Sequence, residues 1–188
     1  MKKPIITITG SLGSGKSSTA DVVAKELGYK RFSSGDFFRK VGMDIGLSVL
    51  GLNIRAETDA SIDKKTDDEV KKLNDMEHIV VDSRMAPYFV PESFKVYLDL
   101  PPEIAKERIV NNLKENKLRQ ESEDTSSSED AYQKITDRLQ SERKRYLETY
   151  GVDTGDKSIF NLVVDTDKNN LQEVAQIIIS EYKKWIAG

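Results

Sequence analysis

A β-branched run, Ile5-Ile6-Thr7-Ile8-Thr9, leads into Gly10-Ser11-Leu12-Gly13-Ser14-Gly15-Lys16-Ser17, and a segment with helical spacing follows. The pattern is G-x-x-x-x-G-K-S between a strand and a helix. That context separates a phosphate-binding P-loop from a chance glycine turn. Gly10, Gly13 and Gly15 let the backbone turn tightly, so that its N–H groups point at one anion. The following helix adds its free N-terminal donors and the positive end of its dipole. Expected triphosphate contacts are Gly10, Ser11, Gly13, Ser14, Gly15, Lys16, Ser17 and Ser18. Lys16 would reach the β- and γ-phosphates, and Ser17 Oγ would ligate Mg²⁺. The loop specifies a nucleoside triphosphate site and leaves the fate of the γ-phosphate open.

The chain around this loop has 188 residues, one domain's worth, with 37% hydrophobic and 32% charged residues. Net charge is −3, so bulk electrostatics recruit neither nucleic acid nor an anionic membrane. There is no cysteine and a single histidine, His78. Disulfides, thiolate metal sites, cysteine nucleophiles and multi-histidine metal sites are thereby excluded. The N-terminal apolar run is too short and too β-branched for a signal peptide, and no stretch is long enough for a membrane span. A cytoplasmic monomer with no nucleic-acid or membrane partner is expected.

Read in order, strands alternate with helices. The Lys16–Leu27 segment places Ala20, Val23, Ala24 and Leu27 at helical spacing, with Gly28 as its C-cap. Tyr29–Phe32, His78–Asp82, Phe94–Leu98 and Phe160–Val164 read as further strands, and Thr166–Trp185 carries an amphipathic last helix. Helices are also expected from Ser34 or Gly35, from Pro102, and over Glu129–Tyr150, which Gly151 ends. Gly42–Asn74 reads as an irregular insertion with a charged helix over Ser61–Leu73. Lys114–Asp130, polar and serine-rich, reads as a mobile loop. The alternation predicts a doubly wound parallel sheet in one α/β domain. Ligands then sit at the carboxyl ends of the strands, so the P-loop, the Ser33–Arg39 turn and Asp82 should share one cleft.

Three groups bear on the reaction. Asp36 and Arg39 lie three apart at a helix start. Arg39 is either a grip on a second phosphate or a surface residue of a capped helix. Asp82 ends a buried strand beside the P-loop, where a carboxylate commonly holds Mg²⁺ or its water, and Arg84 follows into the same cleft. Arg138, Glu142 and Arg145 share one helix face at i, i+4 and i+7, which on spacing alone is a solvated salt-bridge face. A GTPase is disfavoured: Met85 stands where Asp-x-x-Gly needs glycine, and Asn116-Lys117-Leu118-Arg119 lacks the aspartate of a guanine motif. What remains is a small phosphotransferase whose flap excludes water. A nucleotide-dependent assembly or binding factor is the reading from a different class.

These residues resemble the nucleoside monophosphate kinases, most closely the short archaeal-type cytidylate kinases, over nearly the whole chain. The P-loop is similar to theirs, as is Ser33-Ser34-Gly35-Asp36-Phe37-Phe38-Arg39. Ile62-Asp63 with Asp67, and Asp82-Ser83-Arg84 with serine where the family writes glycine, also match. So do Ser141-Glu142-x-x-Arg145-Tyr146 and Tyr150-Gly151-Val152-Asp153. The resemblance implies a P-loop NTPase of three α/β/α layers with a five-stranded parallel sheet. It adds small insertions, an NMP-binding segment at about 33–76 and a lid at about 114–137. It implies transfer from ATP, with Mg²⁺, to CMP or dCMP; AMP, UMP or a small metabolite are the alternative acceptors. Lys16, Arg138 and Arg145 become the expected catalytic cations, and Ser17 and Asp82 the metal ligands. Asp36, Arg39, Arg84, Arg138, Glu142 and Arg145 become the acceptor contacts. Lys114, Lys117 and Arg119 remain open as the lid cation.

Overall fold

Ile5, Ile6, Ile8, Ile79, Val80 and Val81 have no solvent-exposed surface, which strands achieve only when helices cover both faces of their sheet. The computed structural model describes residues 2–115 and 127–188 of the chain. Strands β1 (Ile5–Gly10), β2 (Lys30–Ser33), β3 (Ile79–Asp82), β4 (Phe94–Asp99) and β5 (Leu162–Asp165) form one sheet in the order β2-β3-β1-β4-β5. Every pairing is parallel, and Ile8 stands opposite Asp82. The helices are α1 (Lys16–Leu27), α2 (Ser34–Asp44), α3 (Val49–Ala56), α4 (Ser61–Lys72), α5 (Ala86–Phe89), α6 (Pro102–Glu115), α7 (Ser128–Tyr150) and α8 (Leu171–Ala187). Alternate strand residues serve opposite faces. Ile6, Ile8, Val96 and Leu98 pack with Val23 of α1 and Ile178 of α8. Ile5, Ile79 and Val81 pack with Val70 and Leu73 of the α4 region and with Ala86 and Val90. Each fully buried side chain of this kind contributes about 1.5–3 kcal/mol. The three-layer α/β/α architecture expected from the sequence is the one observed.

Differences from the expected elements have local causes. The segment expected to be irregular contains α3, which Ser48 caps by accepting a hydrogen bond from the Gly51 N–H at 3.1 Å. Leu52 and Ala56 of α3 meet Ile62 of α4 in a small separate core, with Phe38, Val41 and Leu47 against it. His78 precedes β3 rather than belonging to it, because its φ of 57° is not extended. The last helix starts at Leu171 rather than Thr166, where Asn170 and Glu173 form a capping box. Within the Lys114–Asp130 stretch, α6 runs to Glu115 and α7 begins at Ser128. Residues 116–126, including Lys117 and Arg119, lie outside the described residues. Among the described residues, no helix is long and apolar enough to cross a membrane.

The helices between β2 and β3 meet α7 through polar contacts. Tyr150 Oη donates to Asp67 Oδ2 at 2.8 Å, and Ser141 Oγ donates to Glu57 Oε1 at 2.8 Å. Burial pushes the Asp67 carboxyl up to about 7; the nearby carboxylates of Asp63 and Glu142 push the same way, and the Tyr150 hydroxyl and Lys71 oppose.

Two predictions follow from this packing. Gly10 has a φ of 152°, and a Cβ there would meet the Leu98 carbonyl oxygen at 2.2 Å. Gly46, at φ 71°, faces open space. Urea unfolding should show Gly10→Ala losing about 2–5 kcal/mol, from backbone strain plus overlap, against about 1–2 kcal/mol for Gly46→Ala. Equal losses would contradict the close approach of β1 and β4. For Asp67, the unfolded carboxyl releases its proton near pH 3.8 and the folded one near 7. The folded chain therefore holds more protons in between, and stability should fall as pH rises from about 4 to 7, by up to about 4 kcal/mol. Asp67→Asn keeps an acceptor for Tyr150 and should flatten that slope in denaturant titrations across this range.

Candidate active site

The turn after β1 is built to receive an anion. Gly15 caps α1 in the left-handed conformation, with φ 81°, and no side chain caps the helix. The first N–H groups of α1 therefore have no acceptor within the helix and face outward as donors. Ser14 is buried, and its Oγ has no hydrogen-bond partner. Lys16 Nζ lies 3.4 Å from the carbonyl oxygens of Gly10 and Ser11. Burial lowers the Lys16 ammonium to about 8; Arg84 pushes it the same way, and Asp82 and Glu142 oppose. An anion bound in the loop would supply the countercharge that this ammonium lacks. Ser18 is exposed on the first turn of α1.

Parallel pairing of β1 with β3 brings Asp82 to the start of α1. Ser17 Oγ donates to Asp82 Oδ2 at 2.6 Å, and Arg31 Nη2 donates to the same oxygen at 3.1 Å. A hydroxyl and a carboxylate side by side are hard oxygen donors. They suit Mg²⁺, which usually takes one or two protein oxygens and completes its shell with phosphate and water. Ser83 follows, buried, and its Oγ accepts from the Met85 and Ala86 N–H groups at 3.2 and 3.3 Å. The serine thus satisfies the N–H groups leading into α5, whose N-cap position is Met85, and its φ is not positive, so glycine is not required here.

Facing the loop is a cleft of about 540 Å³, within the ~300–1,000 Å³ range of small-molecule sites. Lys16, Ser17 and Asp82 line it together with Arg39, Arg84, Arg138, Glu142 and Arg145. The Arg138–Arg145 face, solvated on spacing alone, is thus turned into the cleft. Three of the cleft's arginines are held by carboxylates. Arg84 Nη1 donates to Glu142 Oε2 at 2.8 Å. Arg145 donates through Nε and Nη2 to the two oxygens of Asp63, at 2.6 and 3.3 Å, and through Nη1 to Ser141 Oγ at 2.8 Å. Arg39 pairs with Asp36. Asp36 itself does not line the cleft; its other ionic partner is Arg31, at 3.8 Å.

Several residues lining the cleft, and Arg31 beside it on Asp82, carry no role in the sequence reading. Arg31 gives no sequence signal, being one charge in a short edge strand. Asp63 sits in the Ile62-Asp63 match and proves to be the partner of Arg145. Phe38, Val49, Asn53, Thr66 and Tyr146 complete the walls. Burial raises the Tyr146 phenol well above its usual value, and the carboxylates of Glu142, Asp67 and Asp63 add to the shift; the ring stays neutral near pH 7. Thr66 is 4% exposed, and its Oγ1 has no hydrogen-bond partner. A buried group of this kind costs about 1–3 kcal/mol.

Comparison with known proteins agrees with this architecture. A family model described as an AAA domain matches residues 6–130. The cytidylate kinase of Natronomonas pharaonis is 36% identical over 179 residues, covering 94% of this chain and 88% of that protein. That of Sulfurisphaera tokodaii is 34% identical over 177 residues, covering 93% and 92%. Shikimate kinase from Acinetobacter baumannii superposes with a TM-score of 0.61 over 95% of this chain and 92% of its own, at 18% identity, a likeness of fold. With a P-loop facing an arginine-lined cleft and relatives matched along nearly the full length, the chain belongs to the archaeal-type cytidylate kinases, within the nucleoside monophosphate kinase family.

Proposed function

We propose that the chain transfers the γ-phosphoryl group of ATP to CMP or dCMP, giving ADP and CDP or dCDP. One observation carries this reading: a P-loop lysine and four arginines, Arg39, Arg84, Arg138 and Arg145, line a single cleft. A triphosphate site alone needs the loop. Four further guanidiniums in the same cleft suit a second phosphate, because their planar forks match its oxygens. The Gly10–Ser18 turn binds the donor phosphates. Arg39, Arg84 and Arg145 grip the acceptor phosphate, Arg138 lies on the same face, and Glu142 orients Arg84 and meets the acceptor. Lys16, Arg138 and Arg145 offset charge on the transferring group. No protein nucleophile is needed, since the acceptor is already a phosphate; positioning and charge stabilisation do the chemistry.

Ser17 and Asp82 are the proposed Mg²⁺ ligands. When bound, the ion neutralises charge on the donor phosphates. Arg31 shares the Asp82 carboxylate and keeps it oriented. The helices between β2 and β3, residues 33–76, form the acceptor-binding insertion, and residues 114–137 form the lid. A monomer in the cytoplasm, with nucleotides as its partners, completes the proposal.

A coupled assay of ADP release with each nucleoside monophosphate tests it. CMP and dCMP should be turned over fastest; no turnover with any pyrimidine monophosphate would reject the reading. Lys16→Ala should lower turnover at least ~10²-fold, as expected for loss of a charge-stabilising donor, with an unchanged circular dichroism spectrum. Retained activity in this variant would displace the P-loop from the reaction.

A further inference from the structure

We infer that Thr66 is a substrate-contacting residue whose hydroxyl hydrogen-bonds the polar edge of the acceptor's base, an inference that rests on the CMP kinase reading above. Along α4, Ile62, Thr66 and Val70 stand at i, i+4 and i+8, and each is at most 4% exposed. Ile62 belongs to the small core of the insertion and Val70 to the core beneath the sheet. Position 66 thus lies in an apolar stripe between two cores, where valine would fill the same volume without a polar atom. A helical threonine commonly returns its hydroxyl to a carbonyl one turn back. Here Oγ1 has no partner among the described residues. A buried polar group left unpaired by the fold calls for a partner supplied from outside, and such local departures concentrate at functional sites.

Thr66 lines the cleft, and the other residues lining it indicate what that partner is. Lys16 and the arginines suit phosphate. Of the other lining residues, Phe38, Val49, Asn53 and Tyr146 supply uncharged wall. Two aromatic rings and an aliphatic side chain suit a flat, neutral ring. Asn53 Nδ2 donates one N–H to the Val49 carbonyl at 2.9 Å, and the amide also carries a second N–H and the acceptor Oδ1. A hydroxyl both donates and accepts, so Thr66 can satisfy a ring nitrogen or an exocyclic group on the rim of a base. A free phosphate or an aliphatic acceptor phosphate has no such edge to offer on this wall.

The test compares Thr66→Val and Thr66→Ser with the wild-type chain, by thermal unfolding with and without CMP and by steady-state kinetics. Without nucleotide, Thr66→Val should unfold at or above the wild-type temperature, because the deleted hydroxyl had no partner. Its KM for CMP should rise at least tenfold, about 1.4 kcal/mol, while KM for ATP stays within about twofold and the CMP-induced shift in unfolding temperature shrinks. Thr66→Ser restores the hydroxyl and should keep KM for CMP within about threefold of wild type. An unchanged KM for CMP in Thr66→Val overturns the inference. So does a lowered unfolding temperature with both KM values raised together, which marks a structural hydroxyl. If the wild-type chain does not turn over CMP, the proposed function fails by itself. The inference is then decided by whichever nucleoside monophosphate raises the wild-type unfolding temperature: loss of that shift in Thr66→Val supports it, and a retained shift, or none in wild type, overturns it.

Discussion

The 2.6 Å hydrogen bond from Ser17 to Asp82 joins the first turn of α1 to the end of β3, and the arrangement of the site depends on it. The bond requires β1 and β3 to pair in one register, with Ile8 opposite Asp82. A slip of one residue would turn the Asp82 side chain to the opposite face of the sheet. That register is fixed by apolar burial on both faces, through Ile6 and Ile8 on one side and Ile5, Ile79 and Val81 on the other. The polar chemistry of the site is therefore set by residues that never touch a ligand. Arg31 adds a third element to the same carboxylate, so β2, β3 and α1 converge on one oxygen.

The charges of the cleft follow a second logic. The chain as a whole is acidic, at −3, yet the cleft gathers cations. Its arginines do not stand alone: Glu142 holds Arg84, Asp63 holds Arg145 and Asp36 holds Arg39. Only the exposed Arg39–Asp36 pair is of the surface kind that contributes about 0–1 kcal/mol; for the shielded Arg84–Glu142 and Arg145–Asp63 pairs the cost of desolvation offsets the attraction. Their consequence is geometric. Each guanidinium is held in orientation before a phosphate arrives, and a doubly charged phosphate can compete for its remaining donors. Lys16 differs, because it faces carbonyl oxygens rather than a carboxylate and is drawn down to about 8 by burial.

Much of this was legible in the sequence, for definable reasons. The P-loop was readable because backbone geometry forces glycine at fixed spacings, and the strands because parallel sheets demand continuous apolar runs. Asp82 and Arg84 were placed by topology alone. The face of Arg138, Glu142 and Arg145 was readable as a face but not as a site, since helical spacing does not say what lies opposite; resemblance to a family supplied that. The region after Gly42 was misread because glycines suggest loops. Gly42 instead packs close to the Leu47 carbonyl, Gly46 makes the turn, and Gly51 is carried inside α3. Asp36, expected to meet the acceptor, pairs in the structure with Arg39 and Arg31, contacts that its place on the first turn of α2 left open. The motif Tyr150-Gly151-Val152-Asp153 marks the family but builds structure. Gly151 caps α7, Tyr150 meets Asp67, and Asp153 binds Arg143 at 2.7 Å.

The small core of Leu52, Ala56 and Ile62 is separate from the two cores that clasp the sheet. Leu52 and Ala56 of α3 can therefore accumulate substitutions without touching the strands that hold the P-loop, whereas Val70 of α4 is shared with the core beneath the sheet. The part of the cleft wall that α3 carries can drift while the sheet and the P-loop stay constant. A lineage of such kinases can diversify by rewriting α3 and its immediate contacts and leaving the sheet alone.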